Sequence, residues 1–346
     1  MFSCLYKKVN INKDSKLSKI SCHKQNNLIA IGGADGFLKI VQIDLNKSKG
    51  DSNANPITFT QNLVCHTKKI SCLRWNDYYD KLTTCDEDGV IVVWRQNEKA
   101  QWDTEMINNR EISSVTDIKW SKQGTHLCFI YDDGHGIVGT VEGSRCWGND
   151  IREKLYKLEW SPDASCILFA AMNHNIIIFS TSGYQVGEME IDAALKSTKI
   201  SSISWWANSF SENFNSTLEK HMMIAFSNGT IMLYDDYQDT KPLKFVTEFS
   251  EITQAEWNQT GEIIAVSGIL QEGAERRDAI IFYSAQGEVQ KILRVPTPIS
   301  EFTWDAQGTK LAIASENVIL FALVKQKYKW TYFADTLVYC FMQETE

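Results

Sequence analysis

Gly134, Gly136 and Gly139 fall at the G-x-G-x-x-G spacing that can cradle a dinucleotide pyrophosphate. That chemistry needs a strand before the glycines, a helix opening inside them and an acidic residue about twenty positions later. Here Asp133-Gly134 reads as a tight hairpin and Ile137-Val138-Gly139-Thr140-Val141 as strand, so these glycines bend a sheet. The six histidines, at 23, 66, 126, 135, 174 and 221, are scattered, and none pairs with a cysteine or carboxylate at metal-ligand spacing. Asp86-Glu87-Asp88 and Asp132-Asp133 fall at turns, where an Asp side chain bonds its own backbone. No G-x-S-x-G, P-loop or H-E-x-x-H is present, so neither a catalytic residue, nor a cofactor site, nor a metal site is expected. His66, Thr84, Asp88 and Trp94 offer a different chemistry, a buried relay of hydrogen bonds from indole to hydroxyl to imidazole to carboxylate.

The chain that must position them has 346 residues, 43% hydrophobic and 23% charged, enough to bury a large core. Thirty-five basic side chains against 43 acidic give a net charge of −8, which provides no overall attraction for nucleic acid. Lys325, Lys327 and Lys329 interleave with Tyr328 and Trp330, and read as a solvated edge, not a base-stacking patch. Nine cysteines without a C-x-x-C pair read as single buried thiols of a reducing compartment. Neither a membrane-spanning run nor a secretory signal is apparent, so the chain is expected in the cytoplasm.

Six tryptophans, Trp75, Trp120, Trp160, Trp205, Trp257 and Trp304, recur at spacings of 45, 40, 45, 52 and 47 residues. Five positions before them stand Ile70, Val115, Leu155, Ile200, Ile252 and Ile299; two before, Leu73, Ile118, Leu158, Ile203, Ala255 and Phe302. Leu17, Ile20 and Cys22 fit the same frame, which makes seven units. Each continues through short turns into β-rich segments such as Ile91-Val92-Val93-Trp94 and Ile176-Ile177-Ile178-Phe179. Asp35-Gly36, Asp88-Gly89, Asp133-Gly134 and Asn228-Gly229 favour tight hairpins, because glycine accepts positive φ. Repeats of this length with several strands and no helical period predict an all-β, seven-bladed propeller over residues 1–327, with 328–346 as a carboxy-terminal extension. Leu5 to Ile11 has no local partner and is expected to close the ring as the outer strand of the last blade. Residues 46–56 and 207–220 are polar excursions from it.

Segments preceding each first strand gather on one rim of such a ring. They carry Lys13, Lys16, Lys68, Lys69, Arg110, Arg152, Lys154, Lys196 and Lys199 against Asp14, Glu111, Asp150 and Glu153. This makes the rim a candidate face for an acidic partner segment or an anionic lipid surface.

The spacing of His66, Thr84, Asp88 and Trp94 resembles the structural tetrad of WD repeats; the other units depart from it. Lys81 to Gly89 running into Trp94, Glu105 to Arg110, and Tyr328 to Tyr332 followed by Val338-Tyr339 are similar to the 121-type WD-repeat subunits of intraflagellar transport complex A. That resemblance implies a non-catalytic amino-terminal propeller leading toward a second propeller and a helical solenoid. It also implies other complex A subunits as partners, a place in the cytoplasm, the cilium and its base, and work in retrograde transport and import of membrane cargo. The alternative with the same fold is the WD-repeat region of a tubby-like substrate receptor for a ubiquitin ligase.

Overall fold

The computed structural model describes the chain except for residues 12–14, 45–56, 111–112, 174, 190, 208–219, 240, 274, 326–328, 334–335 and 341–346. Both polar excursions, 46–56 and most of 207–220, therefore lie outside the described residues, as do Lys13 and His174. Seven four-stranded antiparallel sheets form the blades of one ring. Their inner strands are Leu17–Cys22, Ile70–Asn76, Val115–Trp120, Leu155–Trp160, Ile200–Ala207, Phe249–Trp257 and Ile299–Trp304, for blades one to seven. No α-helix occurs among the described residues, and Ala193–Leu195 makes a single 3-10 turn.

Apolar runs mark the second strand of each blade because both of its faces are covered by neighbouring blades. Leu28–Gly33, Lys81–Asp86 and Cys166–Ala171 are buried at every position. Outer strands face water and are mostly exposed, as in Trp102–Asn109. The core consists of inter-blade seams: Ile178 and Met189 of blade four, for example, pack with Ile203 and Met222 of blade five. Each seam buries large aliphatic and aromatic surface at about 25 cal/mol per Å², which offsets the ordering of so many strands.

A register shift recurs at one place in every inner strand, between Leu17 and Lys19, Ile70 and Cys72, Val115 and Asp117, Leu155 and Lys157, Ile200 and Ser202, Ile252 and Gln254, and Ile299 and Glu301. This bulge explains the spacing of the repeat. Side chains alternate faces along a regular strand, so residues five apart would point oppositely. One bulged residue restores the parity, and Ile70, Leu73 and Trp75 all enter the seam, each under a tenth exposed. In most blades the residues between them, three and one before the marker, turn to the ring axis, as Lys157 and Glu159 do; Cys72 instead packs into the seam with blade three.

The bulged residue bears a hydroxyl in all seven blades: Ser18, Ser71, Thr116, Tyr156, Ser201, Thr253 and Ser300. Ser18, Ser71, Thr116 and Thr253 donate to carbonyls of their own second strand, at 3.2 to 3.3 Å. Ser18 and Thr116 share the same proton with the carbonyls of Ile70 and Leu155 on the next blade, at 3.0 and 3.1 Å, and Ser201 donates to the Ile252 carbonyl at 2.7 Å. Tyr156 Oη accepts from the Ile200 amide at 3.0 Å. Backbone groups that the bulge takes out of the ladder are thus bonded again.

The ring closes as the sequence implies. Phe2–Asn10 pairs antiparallel with Val318–Lys325, from Phe2 opposite Lys325 to Asn10 opposite Val318, with a bulge between Leu5 and Lys7. The last blade therefore reads Ile299–Trp304, Lys310–Ser315, Val318–Lys325, Phe2–Asn10 from axis to rim. Beyond it, Lys329–Phe333 and Thr336–Cys340 form a separate two-stranded hairpin. The thiols are less uniformly buried than expected: Cys22, Cys72, Cys85, Cys128 and Cys166 are buried, Cys4 and Cys65 half-buried, and Cys146 exposed. None of these eight is in a disulfide.

Removing residues 1–12 leaves Val318–Lys325 as an open edge next to the Val9 seam. A lowered thermal midpoint and self-association in size-exclusion chromatography are expected. An unchanged midpoint with monomeric elution would contradict closure by this strand.

Candidate functional site

Three places on the ring gather polar chemistry: the hairpin face of blade two, the charged rim around it, and the central channel. In blade two, Trp94 Nε1 donates to Thr84 Oγ1 at 2.9 Å, Thr84 Oγ1 lies 2.8 Å from His66 Nε2, and His66 Nδ1 lies 2.8 Å from Asp86 Oδ2. The carboxylate is Asp86, which corrects the assignment of Asp88. Asp86 pairs with Ile70 in the sheet and is buried, whereas Asp88 sits on the turn in water. The other Asp86 oxygen accepts from the amides of Asp88 and Val90, both at 3.1 Å, so one carboxylate holds the histidine and shapes the hairpin. Gly89 follows with φ +84°, and a Cβ there would lie 2.7 Å from the Ser113 carbonyl of the next lead-in segment.

Other blades replace the tetrad with simpler ties between lead-in and hairpin. Ser15 donates to Asp35 in blade one, Arg110 pairs with Asp133 at 2.9 Å and Ser114 donates to Asp132 at 3.0 Å in blade three, and Thr297 meets Ser315 at 2.6 Å in blade seven.

These ties thin the basic rim. Lys69 is 3.0 Å from Glu87, and Arg110, also stacked over the Tyr131 ring, is taken by Asp133. Lys199 lies over the Tyr156 ring. Lys16, Lys68, Arg152, Lys154 and Lys196 are exposed and make no ion pair among the described residues. Lys13, Asp14 and Glu111 lie outside those residues, as does Lys327. The rim that remains runs over blades one, two, four and five and is interrupted at blade three.

The channel escaped the sequence reading, although the frame held the signal. Positions three and one before each tryptophan form two stacked rings around the axis. They contribute Lys19, Arg74, Lys119 and Lys157 against Asp117, Glu159, Glu256 and Glu301, four charges of each sign around a cavity of about 330 Å³. Acceptors in the first ring staple neighbouring inner strands. Asp117, Ser202, Gln254 and Glu301 accept from the amides of Leu158, Ala255, Phe302 and Ile20, at 3.2, 2.9, 2.9 and 2.9 Å. Glu301 also sits 3.6 Å from Lys19 and 3.5 Å from Arg74, and Lys119 donates to Glu159 at 2.7 Å.

Burial alone would raise the Glu301 carboxyl, but Lys19 and Arg74 pull it below the usual glutamate range. Asp117 is held low in the same way by Lys157, Lys119 and Arg74. Glu256 differs: burial pushes its carboxyl up, and the nearby cations do not reverse this. It accepts from the Gln254 amide at 2.9 Å and has no ion pair among the described residues. At the mouth beyond it, Trp120, Trp160, Trp205 and Trp257 rim a second cavity of about 520 Å³. Among the described residues no cluster of three or more His, Cys, Asp or Glu side chains could hold a metal ion, and no helix is long and apolar enough to cross a membrane.

A closed ring of seven such blades with one complete indole-to-carboxylate relay defines a WD-repeat β-propeller. A family model described as "WDR35/TULP4 N-terminal" matches residues 1–325, and the chain belongs to that family of amino-terminal propellers. Human WD repeat-containing protein 35 is 33% identical over 352 aligned residues, covering 99% of this chain and 30% of the human protein. Mouse Tubby-related protein 4 is 27% identical, covering 90% of this chain and 22% of that protein. The chain thus spans less than a third of the curated relatives it matches. The β-propeller domain of Cps50 (Swd1) from Myceliophteria thermophila, at 12% identity, superposes with a TM-score of 0.72 over 93% of this chain and 99% of its own, which shows the fold.

Asp86→Asn keeps one accepting oxygen where two are used, so either the buried imidazole or the turn amides of Asp88 and Val90 face an NH2 group, at an expected cost of about 1–3 kcal/mol, whereas Asp88→Asn stays within about 0.5. Trp94→Ala adds a cavity and costs about 3–5 kcal/mol. Urea unfolding of the three variants ranks them; equal losses for Asp86 and Asp88 would overturn the assignment. Because burial raises the Glu256 carboxyl, the folded state binds its proton more tightly than the unfolded chain does. Its contribution is complete below the ordinary value of 4.5 and is lost as pH rises through the folded value. Glu256→Gln is therefore expected to raise the thermal midpoint near neutral pH, by a margin that shrinks toward acid. A lowered midpoint would contradict it.

Proposed function

We propose that this chain is the amino-terminal interaction propeller of an intraflagellar transport complex A subunit. In this reading it acts without catalysis as a scaffold, in retrograde ciliary transport and in the import of membrane cargo, and it resides in the cytoplasm, the cilium and the ciliary base. The observation that carries the reading is the 33% identity to WD repeat-containing protein 35 over 99% of the chain, against 27% over 90% for the tubby-related relative. That balance favours transport over a ubiquitin-ligase receptor built on the same propeller.

The rim supplies a docking mechanism. Lys16, Lys68, Arg152, Lys154, Lys196 and Lys199 stand on one face of a protein whose net charge is −8, so they form a local positive field in a negative surrounding. An acidic segment of another complex A subunit is the partner this field fits. Exposed charges at this spacing are screened by salt over about 8 Å at physiological ionic strength, so the contact weakens as salt rises.

Reversal of Lys16, Lys68, Arg152 and Lys154 to Glu is expected to abolish co-purification of complex A subunits with the tagged protein while leaving its thermal midpoint in place. Flotation with anionic liposomes, run on the same variant, distinguishes a lipid surface from a protein partner. Undiminished co-purification would remove the rim from the interface. Co-purification of ligase components in place of complex A subunits would overturn the transport reading.

A further inference from the structure

The tryptophan-rimmed mouth lies at the end of the channel opposite the hairpin face. Its indoles come from four consecutive blades, three to six, because each of these inner strands carries its tryptophan at its end or within two residues of it. Beneath them the second channel ring is polarised. Arg74 and Lys119 stand on blades two and three, Glu159 and Glu256 on blades four and six, with Ser204 between the two acids. The indole rim therefore sits over the acidic half. The two cavities meet at Glu159, Trp205 and Trp257, which line both.

Two groups at this junction lack what burial demands. Lys119 satisfies Glu159 at 2.7 Å, but among the described residues Glu256 has only the side-chain amide of Gln254, on its own strand, as a donor. Trp257 is 7% exposed, and its Nε1 has no acceptor among the described residues. The walls are nevertheless firm. Trp206 lies flat on Gly261, where a Cβ would come within 2.2 Å of the indole, donates to the Gln259 carbonyl at 3.1 Å and stacks on His221 at 5.8 Å. Two cations stand at this end and both are given to carbonyls: Lys122 donates to Ala207 at 3.2 Å, and Lys24, whose charge reaches Glu256 without reversing the effect of its burial, donates to Trp304 at 2.9 Å.

We propose that this mouth receives the basic side chain of a partner peptide, an arginine or lysine whose cation lies against the indoles and pairs with Glu256. Indole faces attract cations through their quadrupole, most strongly when water is excluded. A peptide also brings a carbonyl for the Trp257 N–H, which a free cation does not. An acidic or apolar peptide would leave Glu256 buried and unpaired, a cost that selects against it. The site is separate from the basic rim and of opposite charge preference, so one propeller can hold two segments of different sign at its two ends.

The probe is the capped pentapeptide Gly-Gly-Arg-Gly-Gly, titrated into the 346-residue chain labelled with 5-fluorotryptophan and followed by fluorine NMR. Saturable shifts confined to a few indoles are expected, with affinity about tenfold weaker for the citrulline peptide, which keeps the shape and loses the charge. Glu256→Gln should weaken the arginine peptide by about the same factor while remaining folded, and Trp257→Phe should weaken both peptides. Glu188→Gln, on the outer strand of blade four, controls for general attraction to a negative protein and should change nothing. Equal binding of arginine and citrulline peptides, unchanged affinity in Glu256→Gln, or absence of a saturable shift would each overturn the proposal.

Discussion

The bulge in every inner strand is the constraint on which the rest of this propeller depends. Seven strands converge on one axis, and each must present its apolar side chains to one seam while turning polar ones to a narrow channel. A regular two-residue alternation cannot do this with residues five, two and zero positions before the tryptophan, since five is odd and two is even. One extra residue brings Leu155, Leu158 and Trp160 to one side and sends Lys157 and Glu159 to the axis. The bulge also breaks the ladder, and in six blades the hydroxyl that stands there bonds a backbone group again, in several of them on the neighbouring blade. Blade geometry and ring closure are thereby tied to a single side-chain type.

Charge in the channel follows from the same constraint. With side chains crowded around the axis, like charges would repel at close range in a medium that screens poorly. The sequence meets this with four cations and four anions, and most are occupied: Glu301 by Lys19 and Arg74, Glu159 by Lys119, Asp117 by the amides of Ile118 and Leu158. Glu256 stands outside this accounting. A half-buried acid that burial drives toward neutrality detracts from stability at neutral pH, and groups held at such a cost tend to mark places where a protein does something besides fold.

The fold itself assigns no activity, since propellers of this shape serve many ends. What separates this one from a generic ring is its surface. The hairpin face is basic where carboxylates of its own turns do not reach, and the opposite mouth is aromatic and acidic. Two ends of contrasting character are what the two docking sites proposed above rest on.

The sequence by itself determined the number of blades, the strand that closes the ring, the hairpin turns and the three members His66, Thr84 and Trp94 of the relay, because each is a local pattern repeated or matched at fixed spacing. Sequence alone could not separate Asp86 from Asp88. Three acidic residues share one turn, and only the register that sets Asp86 opposite Ile70 carries its carboxylate under the imidazole. Nor could it show that Lys69 and Arg110 are spent on the hairpin carboxylates Glu87 and Asp133, 18 and 23 residues away. The channel rings were present in the sequence as the polar remainder of the apolar frame. Their meaning needed the tertiary structure, since seven residues spread over almost three hundred positions become neighbours only when the ring closes on itself.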